Sequence, residues 1–126
     1  MTSPPAAVPR RIEKPWGYEI CYALTDHYAG KILHVKRGHR LSLQFHERKD
    51  ESCYVLTGRL TLFQGDSGET LAQRMIGAGD VWRNVPGTVH TLEALEDSDV
   101  LEVSTPYLDD VVRLRDDYGR EANAVP

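Results

Sequence analysis

The feature of this chain that most restricts its fold is its punctuation. Turn-forming clusters recur at Lys36-Arg37-Gly38, Thr57-Gly58, Gly65-Asp66-Ser67-Gly68, Gly77-Ala78-Gly79-Asp80 and Glu96-Asp97-Ser98-Asp99. Between them lie short runs that alternate apolar and polar residues, which is strand periodicity. The pattern predicts strands at 17–24, 31–35, 41–46, 52–56, 59–64, 70–75, 81–85, 88–95 and 100–104. So many short strands so closely spaced indicate an all-β sandwich or barrel. Only the segment "PYLDDVVRLRDDYG" (106–119) reads as a short helix, with Asp109 and Asp110 in its first turn.

At 126 residues the chain makes one domain, long enough to bury a core without disulfide or metal staples. We read it as a domain over 13–120, flanked by a proline- and alanine-rich tail at 1–12 and a second tail at 121–126. The formal net charge of −4 argues against nucleic acid or an anionic membrane as the main partner. No apolar run has the length of a transmembrane helix, and "MTSPPAAVPRR" carries no signal-peptide core. Cys21 and Cys53 show no metal or redox spacing and read as reduced thiols. A cytoplasmic location is the expectation.

The segment "LSLQFH" (41–46) alternates in an unusual way. Leu41, Leu43 and Phe45 take one face, and Ser42, Gln44 and His46 take the other. Glu51 follows a tight "ERKD" connection and heads the next strand, while His90 arrives after a Pro-Gly turn. Singly, such a histidine is an ordinary hydrogen-bonded residue and such a glutamate a turn charge. Together, two imidazoles, a carboxylate and an amide oxygen form a mixed N/O set suited to zinc, iron, manganese or nickel. Were the polar face to line a lumen, the Leu41, Leu43 and Phe45 face would need a second sheet or a second subunit, so a homodimer is expected.

At this point the chain resembles the cupin superfamily. The first cupin motif appears as Gly38, "HRLSL", Gln44-Phe45-His46, "ERKD", Glu51, "SCYVLT" and Gly58, with Gln44 in the first histidine position. The second runs from Gly79 to "PGTVH" and His90, with Pro86 one place late and the closing asparagine missing. The resemblance implies a single-domain cupin, a double-stranded β-helix or jelly-roll barrel, with Gln44, His46, Glu51 and His90 holding one divalent metal. Gln-x-His in place of His-x-His is similar to the cupin domain of bifunctional mannose-6-phosphate isomerase/mannose-1-phosphate guanylyltransferases. "KPWGYE" (14–19) and "DDVVRLRDDYGR" (109–120) extend that similarity over about 14–120. Two places depart from that family: its histidine- and arginine-rich stretch is "ERKD" here, and Ser52 stands where it has another histidine.

The resemblance implies an isomerase or epimerase acting on a sugar or sugar phosphate, the metal polarising a substrate oxygen. Arg40 shares strand parity with Gln44 and His46, so it is the expected anion anchor. Arg40 and Lys31 are the catalytic candidates, with Lys36, Arg113 and Arg120 as further cations; no general base is identified. His46, Glu51 and His90 also form the two-histidine, one-carboxylate set of non-haem Fe(II) dioxygenases. A non-catalytic sugar-binding barrel is the third reading. Cys53 shares parity with Glu51 and reads as a small apolar filler near the metal.

Overall fold

The computed structural model describes residues 8–120. The strands are β1 (Arg10–Lys14), β2 (Gly17–Leu24), β3 (Ala29–Val35), β4 (Leu43–Phe45), β5 (Glu51–Thr57), β6 (Arg59–Gly65), β7 (Leu71–Gly77), β8 (Val81–Asn84), β9 (Val89–Ala94), β10 (Ser98–Ser104) and β11 (Val112–Arg115). One antiparallel sheet runs β1-β2-β3-β10-β5-β8 and the other β11-β4-β9-β6-β7. Their inner faces meet as a jelly roll, the cupin-type architecture expected. No helix occurs among the described residues. Each predicted strand has its counterpart in β2 to β10.

The segment read as a helix is extended instead. Asp110 turns its carboxylate onto the backbone amides of Glu47, Arg48 and Lys49, at 3.0, 2.6 and 2.8 Å. It therefore serves a neighbouring turn rather than a helix N-terminus. The β-branched pair Val111-Val112 then enters β11, which covers the edge that β4 would otherwise leave open. At the other end, β1 begins at Arg10, within the segment read as a tail, and pairs along β2. Residues 1–7 and 121–126 of the predicted tails lie outside the described residues.

The interior is graded along the strands. At one end Val55, Val100, Leu60 and Leu62 are almost wholly buried, each contributing about 1.5–3 kcal/mol by leaving water. Trp16 and Trp82 close this cluster toward the other end, where the lining turns polar. The β5–β6 connection, which carries the chain from one sheet to the other, turns at Gly58, whose φ of +98° and approach to Ser98 exclude a side chain.

A bulge sets which residues enter the lumen. Arg40 bridges Glu93, whereas Gln44 pairs with His90. One strand advances by four positions while its partner retreats by three, so one extra residue is accommodated between Leu41 and Gln44. Side chains before the bulge are thereby reversed relative to those after it. Leu41 packs on the core cluster, against the expectation that it would lie outward with Leu43 and Phe45. Arg40 is turned out of the lumen for the same reason.

Candidate metal centre

His46, Glu51 and His90 come together at the polar end, each buried, with one ligand-type atom from each lying within 4.8 Å of the others. His90 is delivered by β9 and Glu51 by the first residue of β5, while His46 stands just after β4. His46 Nδ1–H donates to the Asp110 carbonyl at 2.6 Å, and His90 Nδ1–H donates to the Thr88 carbonyl at 2.9 Å. Both rings are thus held in the tautomer whose Nε2 carries a lone pair. These Nε2 atoms face the two oxygens of Glu51, at 3.3 Å from His46 and 3.5 Å from His90. His46 Nε2 is buried and has no hydrogen-bond partner. Two oriented nitrogen donors and a carboxylate, one donor left unmatched by protein, are what a divalent transition metal requires.

Gln44 sits directly across from His90 on the adjacent strand, so its side chain shares that face. Its Oε1 accepts a 2.6 Å bond from Ser42 Oγ, which orients the amide. Glu51 is steadied by Asn84 Nδ2 at 2.8 Å, and Asn84 in turn accepts from Gln64. Burial by itself pushes the Glu51 carboxyl up. The His46 contact and the charges of Lys49 and His90 outweigh burial and hold it well below the usual carboxylate range. Burial lowers the His90 imidazole, with Glu51 acting against it. Both groups are therefore in their ligating protonation states at neutral pH.

A cavity of about 200 Å³ opens beside these residues. Lys49 and Glu102 are among the charged groups of its lining that the sequence reading missed. Lys49, from the "ERKD" segment, is buried and touches Glu51 at 3.2 Å and Glu102 at 3.0 Å. Burial disfavours its charge, but the two carboxylates prevail and raise its pKa. Glu102 lies on β10 between Val100 and Ser104, facing inward. Burial and repulsion from Glu51 push its carboxyl up despite Lys49. Strand parity held the signal for Glu102, two after the core residue Val100 on β10, whereas Lys49 lies in the connection before β5, where parity does not apply. Glu51, Cys53 and Glu102 form a second cluster within ligand distance. There, however, Lys49 already supplies the cation, and burial drives the Cys53 thiol well above its ordinary pKa. The histidine-bearing cluster is the one suited to a metal.

Of the other expected residues, Lys31 does line the cavity, paired with Glu19 at 3.0 Å. Arg40 does not. Its guanidinium forms a bidentate pair with Asp117 at 2.6 and 2.9 Å on the outer side of the fold. Arg113 and Arg120 reach the cavity from the segment around β11, and Arg10 reaches it from β1. Ser52 and Tyr54 point outward and are exposed, so the Ser52 position does not touch the site. His34 bonds Asp99 and stacks on Tyr18, away from the metal cluster.

The family described as "Mannose-6-phosphate isomerase C-terminal" matches residues 5–116. The chain belongs to this family. Mannose-1-phosphate guanylyltransferase of Escherichia coli K12 is 34% identical over 119 residues, covering 90% of this chain and 24% of that protein. The xanthan biosynthesis protein XanB of Xanthomonas campestris pv. campestris strain B100 is 31% identical over 88% of this chain and 24% of its own length. This chain therefore spans about a quarter of these curated relatives. Among solved structures, KdgF from Halomonas sp. superposes with a TM-score of 0.68 at 25% identity, over 85% of this chain and 91% of that one. Oxalate decarboxylase of Bacillus subtilis shares the fold, with a TM-score of 0.72 at 21% identity over 85% of this chain and 30% of that chain. The family and the geometry agree on a metal-binding cupin related to enzymes of sugar metabolism. No helix among the described residues is long and apolar enough to cross a membrane.

Proposed function

We propose that this protein is a metal-dependent isomerase or epimerase of a sugar or sugar phosphate, with His46, Glu51, His90 and Gln44 Oε1 holding the metal. The observation that carries this reading is the convergence of two tautomer-fixed imidazoles on one buried carboxylate at the edge of a polar cavity. A divalent metal bound there would supply Lewis-acid stabilisation of charge developing on a substrate oxygen. The chain's own residues then have distinct tasks. Glu102 is placed to accept a proton from the carbon next to that oxygen, because burial and Glu51 make its carboxylate more basic than usual. Lys49 holds Glu102 in place and keeps the excess negative charge tolerable inside the barrel. Trp16 and Trp82 line the same cavity and limit water where the proton moves. Lys31, with its amine on Glu19, offers remaining N–H groups to substrate hydroxyls.

The family membership supports the sugar chemistry, and the two unpaired cysteines fit a reducing, cytoplasmic setting. A homodimer is part of this reading, formed through the outer face of the six-stranded sheet, where Tyr22, Tyr54, Leu56 and Val103 are exposed. The test joins metal analysis with turnover. Purified protein should carry near-stoichiometric zinc, manganese or nickel, lost in His90→Ala and reduced in Gln44→Ala. It should interconvert an aldose phosphate and its ketose or epimer, with Glu102→Gln lowering kcat by about 10²–10⁴. Metal binding without any such turnover across a panel of phosphorylated and free sugars would refute the isomerase reading. Iron with oxygen consumption would assign an oxygenase instead.

A further inference from the structure

The charged groups around the cavity are not evenly matched. Lys14 and Lys31 both rest on Glu19, at 3.6 and 3.0 Å. Lys49 is shared by Glu51 and Glu102, and Arg120 forms a bidentate pair with Asp116 at 2.9 Å on each side. Arg113 is different. Its side chain makes no hydrogen bond or ion pair among the described residues, and its Nε is buried without an acceptor. Its position is a product of sheet pairing: Arg113 on β11 lies directly across from Gln44 on β4, which lies directly across from His90 on β9. Those three inward side chains form one row that ends at the metal cluster. Burial and the nearby charge of Arg120 weigh against the Arg113 cation and outweigh the opposing charge of Asp116. A guanidinium held in so unfavourable a place, with its fork free, is organised for an incoming oxyanion. Arg10 lines the same cavity from the opposite sheet and is likewise without a partner among the described residues.

We infer that Arg113, supported by Arg10, is the subsite for an oxyanion carried by the substrate, a phosphate monoester or a carboxylate, bound beside Gln44 so that the rest of the molecule reaches the metal cluster. This deepens the isomerase reading and rests on it for the metal end of the substrate. The anion end stands on the unpaired guanidinium and its row in the sheet. Arg40, the residue that strand parity favours for this task, is excluded by the bulge and by Asp117.

The test is calorimetric titration of the metal-loaded protein with inorganic phosphate and, separately, with acetate, on wild type, Arg113→Gln and Arg10→Gln. Metal content is measured on the same samples. Wild type should bind at least one of the two anions. Arg113→Gln should weaken that binding at least tenfold and Arg10→Gln by a smaller factor, both with metal content unchanged. Preference for phosphate identifies a phosphate ester as the ligand class, and preference for acetate a carboxylate. Arg113→Gln should also raise the melting temperature of the anion-free protein, because it removes a cation that lacks a partner; a merely structural arginine would lower it. Equal anion affinity in wild type and Arg113→Gln, or a lowered melting temperature with no change in anion binding, overturns the inference. Protein that binds phosphate through Arg113 but takes up no metal would sink the isomerase reading and leave the subsite standing.

Discussion

Removing the Lys49 ammonium while keeping its volume, as in Lys49→Met, tests whether the lumen is organised around buried charge. Lys49, Glu51 and Glu102 are 5%, 5% and 6% exposed, and the amine contacts both carboxylates within 3.2 Å. Deleting one member of such a buried set leaves its partners uncompensated, which costs about 3–5 kcal/mol. For a domain of this size that corresponds to a fall in melting temperature of roughly 10–20 °C. The measurement is urea unfolding at neutral pH on chelator-treated protein, so that no metal substitutes for the amine. Glu102→Gln in the Lys49→Met background removes the stranded acid nearest the lost cation. The double variant should recover a coupling energy of about 1–3 kcal/mol relative to additivity. If Lys49→Met falls within about 1 kcal/mol of wild type, or the double variant shows no recovery, the charge argument for the lumen is wrong.

Gly58→Ala should destabilise the fold by at least about 1–3 kcal/mol, since an added Cβ meets Ser98 and the Asp97 carbonyl at a positive-φ position; equilibrium unfolding reads it directly. Burial alone pushes the Glu19 carboxyl up, but Lys31 and Lys14 outweigh it and lower its pKa. Its contribution is therefore complete above the ordinary glutamate range and is lost as pH falls through the lowered value. Glu19→Gln should cost about 1–3 kcal/mol at pH 7, and the gap from wild type should close on acidification. A gap that persists at low pH would show that packing, rather than charge, sets the effect.

Much of the site was legible because strand periodicity and ligand spacing are local properties. His46 stands just after β4, and Glu51 and His90 head or enter their own strands, so pairing brings these three together, with Gln44 across from His90. The helix expected at 106–119 failed for a nonlocal reason. Its two aspartates suit a helix N-terminus, but Asp110 finds three backbone amides in the 47–49 turn, and the open edge of β4 offers a ladder that an isolated helix could not match. Glu102 was within reach of parity reasoning, and Lys49, in the connection before β5, was not. They went unnamed because a charged residue on a core face has no evident partner until the sheet is assembled.

By itself, the sequence determined that the chain is an all-β fold of short strands, and it singled out His46, Glu51 and His90, which the fold brings within ligand distance of one another, since turn residues and period-two alternation act within a few residues. Only the tertiary structure decided the charge lining of the lumen. A single extra residue between Leu41 and Gln44 reverses every side chain before it, turning Arg40 outward onto Asp117. The strand added at the sheet edge brings Arg113 in beside Gln44. A bulge and an edge pairing depend on what the neighbouring strand presents, and that neighbour is about fifty residues away in the first case and nearly seventy in the second.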